Sequence, residues 1–123
     1  MDLRGEVIHG EFNSADARVA GAMRLYNGDG QARVLGATER LVVTDVVIVA
    51  AAKMAVNVFS DNDADGAVDD GERILAGSVG DNGGIAMSFV TTPRYCKRGI
   101  TPKVKSDTAG QVDVTLTGFI LTN

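Results

Sequence analysis

The chain has 123 residues, of which 45% are hydrophobic, and its formal net charge is −4 at pH 7. This length and composition exclude a disordered tail and predict one globular domain. The overall acidity argues against nucleic-acid binding, which usually needs a basic face. A single cysteine, Cys96, excludes an internal disulfide, and the longest apolar run, residues 46–52, is too short to span a membrane.

The first twenty residues are weakly patterned. Residues 5–12 are compatible with a short strand, or with an arm that becomes ordered only against a partner. Residues 1–12 also lack the apolar segment of a signal peptide, so we expect no export by the usual route. We therefore divide the chain into an N-terminal arm, residues 1–20, and a β-sandwich domain, residues 21–123.

Tight turns between short strands are the next feature along the chain. Asn27-Gly28-Asp29-Gly30 separates residues 22–26 from residues 31–35, and Asn-Gly and Asp-Gly pairs tolerate the positive φ angles of hairpin turns. The sequence therefore predicts a hairpin from these two segments.

Residues 39–52, ERLVVTDVVIVAAA, form the most apolar stretch and are rich in β-branched side chains. Such residues favour a strand, although a buried helix is an alternative that periodicity alone does not exclude. A run that is apolar on both faces indicates a central strand of a sandwich, or a strand with its outer face against a neighbouring subunit.

The remaining segments alternate apolar and polar side chains in short runs. They predict strands at residues 54–60, 73–79, 85–90, 103–106 and 112–121, the last with a bulge at Gly118. About eight strands at this spacing predict an all-β fold: a single antiparallel β-sandwich, jelly-roll-like, with a closed barrel as the alternative.

Six acidic side chains are concentrated in residues 61–72, DNDADGAVDDGE, which contain no basic residue. The rest of the chain therefore carries a small net positive charge. Clustered carboxylates repel one another unless a cation lies among them. The segment matches the twelve-residue calcium loop of EF-hand type, with Gly66 at the sixth position, where a sharp turn is needed.

The predicted calcium ligands follow the positions of that loop. Short side chains at alternate positions reach one centre, the seventh residue supplies a backbone carbonyl, and a longer carboxylate at the twelfth closes the sphere. Val68 is expected to contact the core. The predicted ligands are Asp61, Asp63, Asp65, Ala67, Asp69 and Glu72.

The flanks of this loop differ from those of an EF-hand. MAVNVFS before it and RILAGSV after it are typical of strands, whereas the EF-hand family has helices there. The sequence thus predicts a calcium loop within a β-hairpin. The ion would be structural, with a dissociation constant of about 10⁻⁴ to 10⁻³ M. The alternative is a solvated acidic turn without an ion.

Few residues are suited to catalysis. His9 is the only histidine, no nucleophile motif or phosphate-binding glycine loop is present, and one His with one Cys does not make a usual zinc site. We expect no enzyme activity. Cys96 is either a reactive thiol, activated by Lys97 and Arg98, or a partly buried small hydrophobe.

One part of the chain is enriched in basic residues. It comprises Arg94, Lys97 and Arg98, with Lys103 and Lys105 further along. It either binds an acidic partner or is a solvated surface.

Over residues 20–123, the succession of ERLVVTDVVIVAA, a calcium-like hairpin and a C-terminal GQVDVTLTGFILTN resembles small β-sandwich structural proteins of tailed bacteriophages, of the capsid decoration (cement) type. The resemblance implies a virion protein on the capsid surface, made in the host cytoplasm. It also implies a homotrimer that stabilises the shell by binding the major capsid protein, with the N-terminal arm reaching a neighbour. Neither nucleic acid nor a membrane is expected as a partner.

The alternative function is a calcium-stabilised carbohydrate-binding or adhesive β-sandwich module. Such modules usually present Trp or Tyr side chains to sugar rings. This chain has no Trp and two Tyr, Tyr26 and Tyr95.

Overall fold

The computed structural model describes residues 5–89 and 91–122, and these contain ten β-strands and no helix. The predicted all-β class is therefore confirmed. No helix in the part of the chain that the structure describes has the length and apolarity needed to cross a membrane. The strands are β1 (Val7–Ser14), β2 (Gly21–Ala22), β3 (Arg24–Tyr26), β4 (Glu39–Ala50), β5 (Met54–Phe59), β6 (Arg73–Val79), β7 (Gly83–Ser88), β8 (Arg94–Tyr95), β9 (Lys103–Ser106) and β10 (Val112–Thr122).

Two antiparallel sheets make up the fold. The larger sheet has the order β3-β1-β10-β4-β7, with β8 also paired to β4, and the smaller sheet has the order β2-β9-β5-β6. Because the sheets are separate, the alternative of a closed barrel is wrong.

The strand pairs are nested within one another. β5 pairs with β6, β4 with β7, β2 with β9 and β1 with β10, all antiparallel. The chain is thus a long ribbon that doubles back at the β5–β6 hairpin and rolls up into two sheets. This is the jelly-roll arrangement, so the predicted jelly-roll-like sandwich is confirmed. The β5–β6 connection is the tip of the ribbon.

The hydrophobic core lies between the two sheets. It is built from alternate residues of the long strands, because successive side chains of a strand point to opposite faces. β4 lies in the middle of the larger sheet, so the prediction of a central strand is confirmed and the helix alternative is wrong. On its outer face, Val47 and Val49 are 41% and 46% exposed.

Residues 7–14 form a strand that is built into the larger sheet. β1 pairs with β10 along its whole length, from Val7 opposite Phe119 to Ser14 opposite Val112, and its other edge pairs with β3. Of the two interpretations of residues 5–12, the structure shows the strand. Residues 1–4 of the predicted arm lie outside the described residues.

The predicted hairpin around residues 27–30 is wrong in part. The segment 22–26 divides between the sheets at Met23, which is buried and whose N–H donates to the Pro102 carbonyl. Residues 31–35 form no strand beyond a single bridge between Tyr26 and Ala32. The Arg33 N–H still donates to the Leu25 carbonyl at 2.9 Å, and its guanidinium group forms ion pairs with Glu6 and Glu39.

The other predicted strands agree with the structure to within a few residues. β6 and β9 have the predicted bounds, β5 ends one residue early, and β7 begins two residues early. Residue 90, at the end of the prediction for β7, lies outside the described residues. The predicted bulge in β10 is confirmed, because the register with β4 shifts between Thr117 and Gly118.

Candidate metal centre

The acidic loop, residues 61–72, connects β5 to β6 at the tip of the rolled ribbon. Its base is closed by a backbone hydrogen bond from the Ser60 N–H to the Glu72 carbonyl, 2.9 Å long. The two strands below are paired in the smaller sheet, with a register shift between Val58 and Phe59. The loop is therefore held at both ends by strands.

The backbone of the loop bends through residues with positive φ. Gly66, at the predicted sharp turn, has a φ of 75°, and Gly71 has a φ of 83°. Ala64 also has a positive φ, 57°, which the sequence did not indicate because alanine seldom adopts this conformation. The prediction that Gly66 permits the turn is confirmed.

The structure brings five of the predicted carboxylates together in two overlapping groups. Within each group, one oxygen of every side chain lies within 4.8 Å of the others. Asp63 belongs to both groups and therefore lies at their junction. The first group is Asp61, Asp63 and Asp65, and the second is Asp63, Asp69 and Glu72.

Two of these carboxylates are buried and are held in place by backbone N–H groups. Asp61 accepts hydrogen bonds from the N–H groups of Asp65 and Gly66, at 3.2 and 2.9 Å. Glu72 accepts from Asn62 and Asp69, at 2.8 and 3.0 Å. The first and last ligand positions are thus fixed by the loop backbone.

The other residues of the acidic loop differ in their burial and contacts. Ala67 is half-buried, and its N–H donates to Asp65 Oδ1 at 2.9 Å; its carbonyl as a ligand stays a prediction. Val68 is half-buried but lies outside the core cluster, beside Asn57 on the outer face of the smaller sheet, so its predicted contact with the core is wrong. Asp70 is fully exposed and 3.6 Å from Arg73.

Like charges raise the proton affinity of this cluster. Desolvation by the surrounding loop and the neighbouring Asp65 raise the pKa of Asp63 to about 6. The negative charge of Asp65 is also the main cause of a raised pKa at Asp69. In the absence of a cation, part of the cluster therefore holds protons more tightly than free carboxylates do.

Lys103 is a part of the site that the sequence did not predict. Its Nζ donates to Asp61 Oδ2 at 2.7 Å, and this hydrogen bond is the main cause that lowers the pKa of Asp61 to about 2. Lys103 lies on β9, beside Phe59 at the end of β5, so it is next to the loop in space. The alternation of Lys103 and Lys105 placed both on one face, but the pairing of β9 with β5 is not encoded locally.

The donor set fits a hard metal ion. Ca²⁺ and similar cations take six to eight oxygen ligands from carboxylates and carbonyls, and each carboxylate oxygen has two lone pairs, so the backbone hydrogen bonds leave acceptor sites free. The cluster could hold a metal ion.

The other groups considered for chemistry lie apart from one another. Cys96 is buried, and burial raises the pKa of its thiol to about 12, so the reactive-thiol interpretation is wrong and that of a buried hydrophobe is confirmed. His9 is exposed on β1, 3.5 Å from Glu11 and beside the ring of Tyr26.

No protein-family model, no curated protein and no solved structure matches this chain. The class of protein that the fold and site define is an all-β jelly-roll with a carboxylate cluster at the tip of its ribbon.

Proposed function

We propose that the chain is a non-enzymatic virion structural protein, a capsid decoration protein with a structural calcium site. The observation that carries the proposal is the position of the carboxylate cluster at the tip of a jelly-roll ribbon, between two paired strands. Jelly rolls are common in viral capsid proteins and in lectins, but the fold alone does not define a function.

Calcium is the ion that this donor set suits best. The predicted ligands are all oxygens, they include two buried carboxylates, and they come from a loop short enough to surround one ion. The flanking strands β5 and β6 are fixed in the smaller sheet, so the ion has no helices to reorient. Its role is therefore to hold the loop rather than to signal.

The outer face of the larger sheet supports assembly with a neighbouring subunit. Val47 and Val49 of β4 are side by side there and partly exposed, opposite Thr115 and Asp113 of β10. A central strand with apolar side chains on its solvent side fits a surface that is covered by a partner. In the proposed role, the partners are the major capsid protein and further copies of this chain, assembled as a trimer.

The alternative, a calcium-stabilised carbohydrate-binding or adhesive module, has one observation in its favour. Tyr95 on β8 is 57% exposed, and the guanidinium carbon of Arg40 lies 5.9 Å from its ring centroid. An exposed tyrosine beside an arginine is able to stack on a sugar and donate hydrogen bonds to it. A Tyr95→Ala variant tests whether this surface binds a sugar, because it removes the exposed ring.

Co-sedimentation with capsids and binding to a glycan array distinguish the capsid decoration protein from the carbohydrate-binding module. The purified protein is mixed with capsids assembled from the major capsid protein of the same genome but lacking this chain. We expect it to sediment with them at a fixed ratio, to form trimers by light scattering, and to bind no glycan on an array. Glycan binding that Tyr95→Ala abolishes, without co-sedimentation, would establish the alternative instead.

A further inference from the structure

The three lysines of the basic segment predicted from the sequence contact the acidic loop of the same chain, whereas Arg98 donates to the Thr38 carbonyl and Arg94 lies over the Phe89 ring. Besides the bond from Lys103 to Asp61, Lys97 Nζ donates to the Asn62 carbonyl at 3.3 Å and Lys105 Nζ to the Gly66 carbonyl at 3.5 Å. Lys103 is the one of these three whose ammonium group contacts a carboxylate of the predicted metal site.

The ion pair of Lys103 involves a fully buried partner. The Asp61 side chain has 0% exposure and that of Lys103 has 28%, so solvent screens the pair less than it screens a surface pair. Asp61 Oδ2 accepts from both Lys103 Nζ and the Gly66 N–H, while Oδ1 accepts from the Asp65 N–H. Both lone pairs of Oδ2 are therefore in use, so a metal ion at this oxygen has to displace one of its two donors, and Lys103 is the donor that does not belong to the loop backbone.

We propose that Lys103 is a built-in counter-ion that competes with calcium for Asp61 and holds the acidic loop in place when the metal is absent. The inference rests on the proposed calcium site and adds a regulatory residue to it. The loop then exchanges one cation for another: the ammonium group neutralises its first ligand in the metal-free protein, and calcium replaces it when the concentration is high enough.

Two electrostatic effects of the Lys103 charge both weaken calcium binding. Lys103 stabilises the metal-free loop through its bond to Asp61, and it repels a divalent cation bound among the same carboxylates. Removing its charge therefore strengthens calcium binding by both routes. For a single charge about 5 Å from a divalent ion, Coulomb's law in a water-like dielectric corresponds to an affinity change of about tenfold.

Lys103→Met and Lys105→Met form a matched pair for the test. Both residues lie on β9, two positions apart with their side chains on the same face, and both changes remove one positive charge. Only Lys103 contacts a carboxylate of the site. Calcium chloride is titrated into the metal-free protein by calorimetry at low ionic strength, and the melting temperature is measured in chelator.

We expect Lys103→Met to bind calcium about tenfold more tightly than the parent, and Lys105→Met to change affinity by clearly less. In chelator, Lys103→Met should also melt below Lys105→Met, because its loop has lost its counter-ion. Equal calcium affinities for Lys103→Met and the parent, or weaker binding by the variant, would overturn the inference.

Three further readouts keep the test decisive. Lys103→Arg keeps the charge and should bind calcium as weakly as the parent. If Lys103→Met does not fold, the Nζ resonances of the parent replace it: calcium should shift that of Lys103 and leave that of Lys105 nearly unchanged, and an unmoved Lys103 signal in the calcium-loaded protein contradicts the exchange. Calcium binding by neither parent nor variants would contradict the proposed site, whereas binding by Lys103→Met alone would support the competition.

Discussion

Gly66 and Ala64 show how single residues determine the shape of the acidic loop. Both have positive φ angles, 75° and 57°, yet only glycine adopts this conformation without strain. The sequence indicated Gly66 because its position in a twelve-residue calcium loop is diagnostic. It did not indicate Ala64, because an alanine in this conformation is set by the closure of the whole loop and by no local preference.

Replacing Gly66 with alanine should destabilise the protein by about 1–2 kcal/mol. A Cβ at this position would have no atom within 4 Å, so the backbone conformation is the only source of the effect. Gly28→Ala is the control: its Cβ also meets nothing, and its φ is not positive. Urea unfolding measures both, and equal stabilities of the two variants would contradict the left-handed assignment of Gly66.

The raised pKa values of Asp63 and Asp69 predict how stability depends on pH in chelator. A carboxylic acid with a raised pKa binds its proton more tightly in the folded state than in the unfolded state. Asp63 therefore stabilises the fold fully below the unfolded pKa of about 4, and this contribution is lost as the pH rises through its folded pKa of about 6. The raised pKa of Asp69 gives a contribution of the same sign.

The melting temperature of the metal-free protein should thus fall as the pH rises through this window. The fall should be smaller for Asp63→Asn, which removes the main titrating group. Asp61, whose pKa is lowered, acts in the opposite direction but only at lower pH, between about 4 and about 2. A melting temperature that rises across the higher window in both proteins would show that the carboxylates do not crowd one another.

At the scale of the elements, local patterns were sufficient for the regular strands and insufficient where the chain changes sheets. β6 and β9 were predicted with their observed bounds, because the composition and turns that define a strand lie within and beside it. Residues 22–26 divide between the sheets at Met23, whose N–H donates to the carbonyl of Pro102, far away in the sequence. No local pattern carries that information.

The bulge between β4 and β10 is the element-level feature that the structure explains most fully. Thr44 is the additional residue on β4, between the partners of Thr117 and Gly118. Its hydroxyl group donates to Asp45 Oδ2 at 3.0 Å, and the Thr117 hydroxyl donates to the same oxygen, also at 3.0 Å. These hydrogen bonds lower the pKa of Asp45 and fix the irregular register.

Gly118→Ala should destabilise the protein by about 3 kcal/mol or more. A Cβ at this position would overlap the Val42 carbonyl, which belongs to the backbone of a central strand and has little freedom to move. Gly80→Ala is a suitable control, because its Cβ would meet no atom within 4 Å. Denaturant unfolding of the two variants gives the comparison, and similar stabilities would contradict the close packing of β4 against β10.

At the scale of the whole molecule, the candidate site was predictable in sequence and its counter-ion was not. The carboxylates of residues 61–72 lie so close together in the sequence that their spacing alone indicates a cation site. Lys103 reaches Asp61 only because the rolled ribbon pairs β9 with β5. The jelly-roll class followed from the number of short strands, whereas the nesting of the pairs needed the structure.

The melting temperature of the parent protein in calcium and in chelator tests the central claim, that the acidic loop binds a structural calcium ion. At a calcium concentration well above the dissociation constant, ligand binding adds about 1–3 kcal/mol, which for a domain of this size is a rise of about 5–10 °C.

Asp63→Asn should lose most of this rise, because it removes the charge shared by both carboxylate groups. Asp70→Asn, the same change at a fully exposed position outside both groups, should retain it. A parent protein that melts at the same temperature in calcium and in chelator would contradict the account.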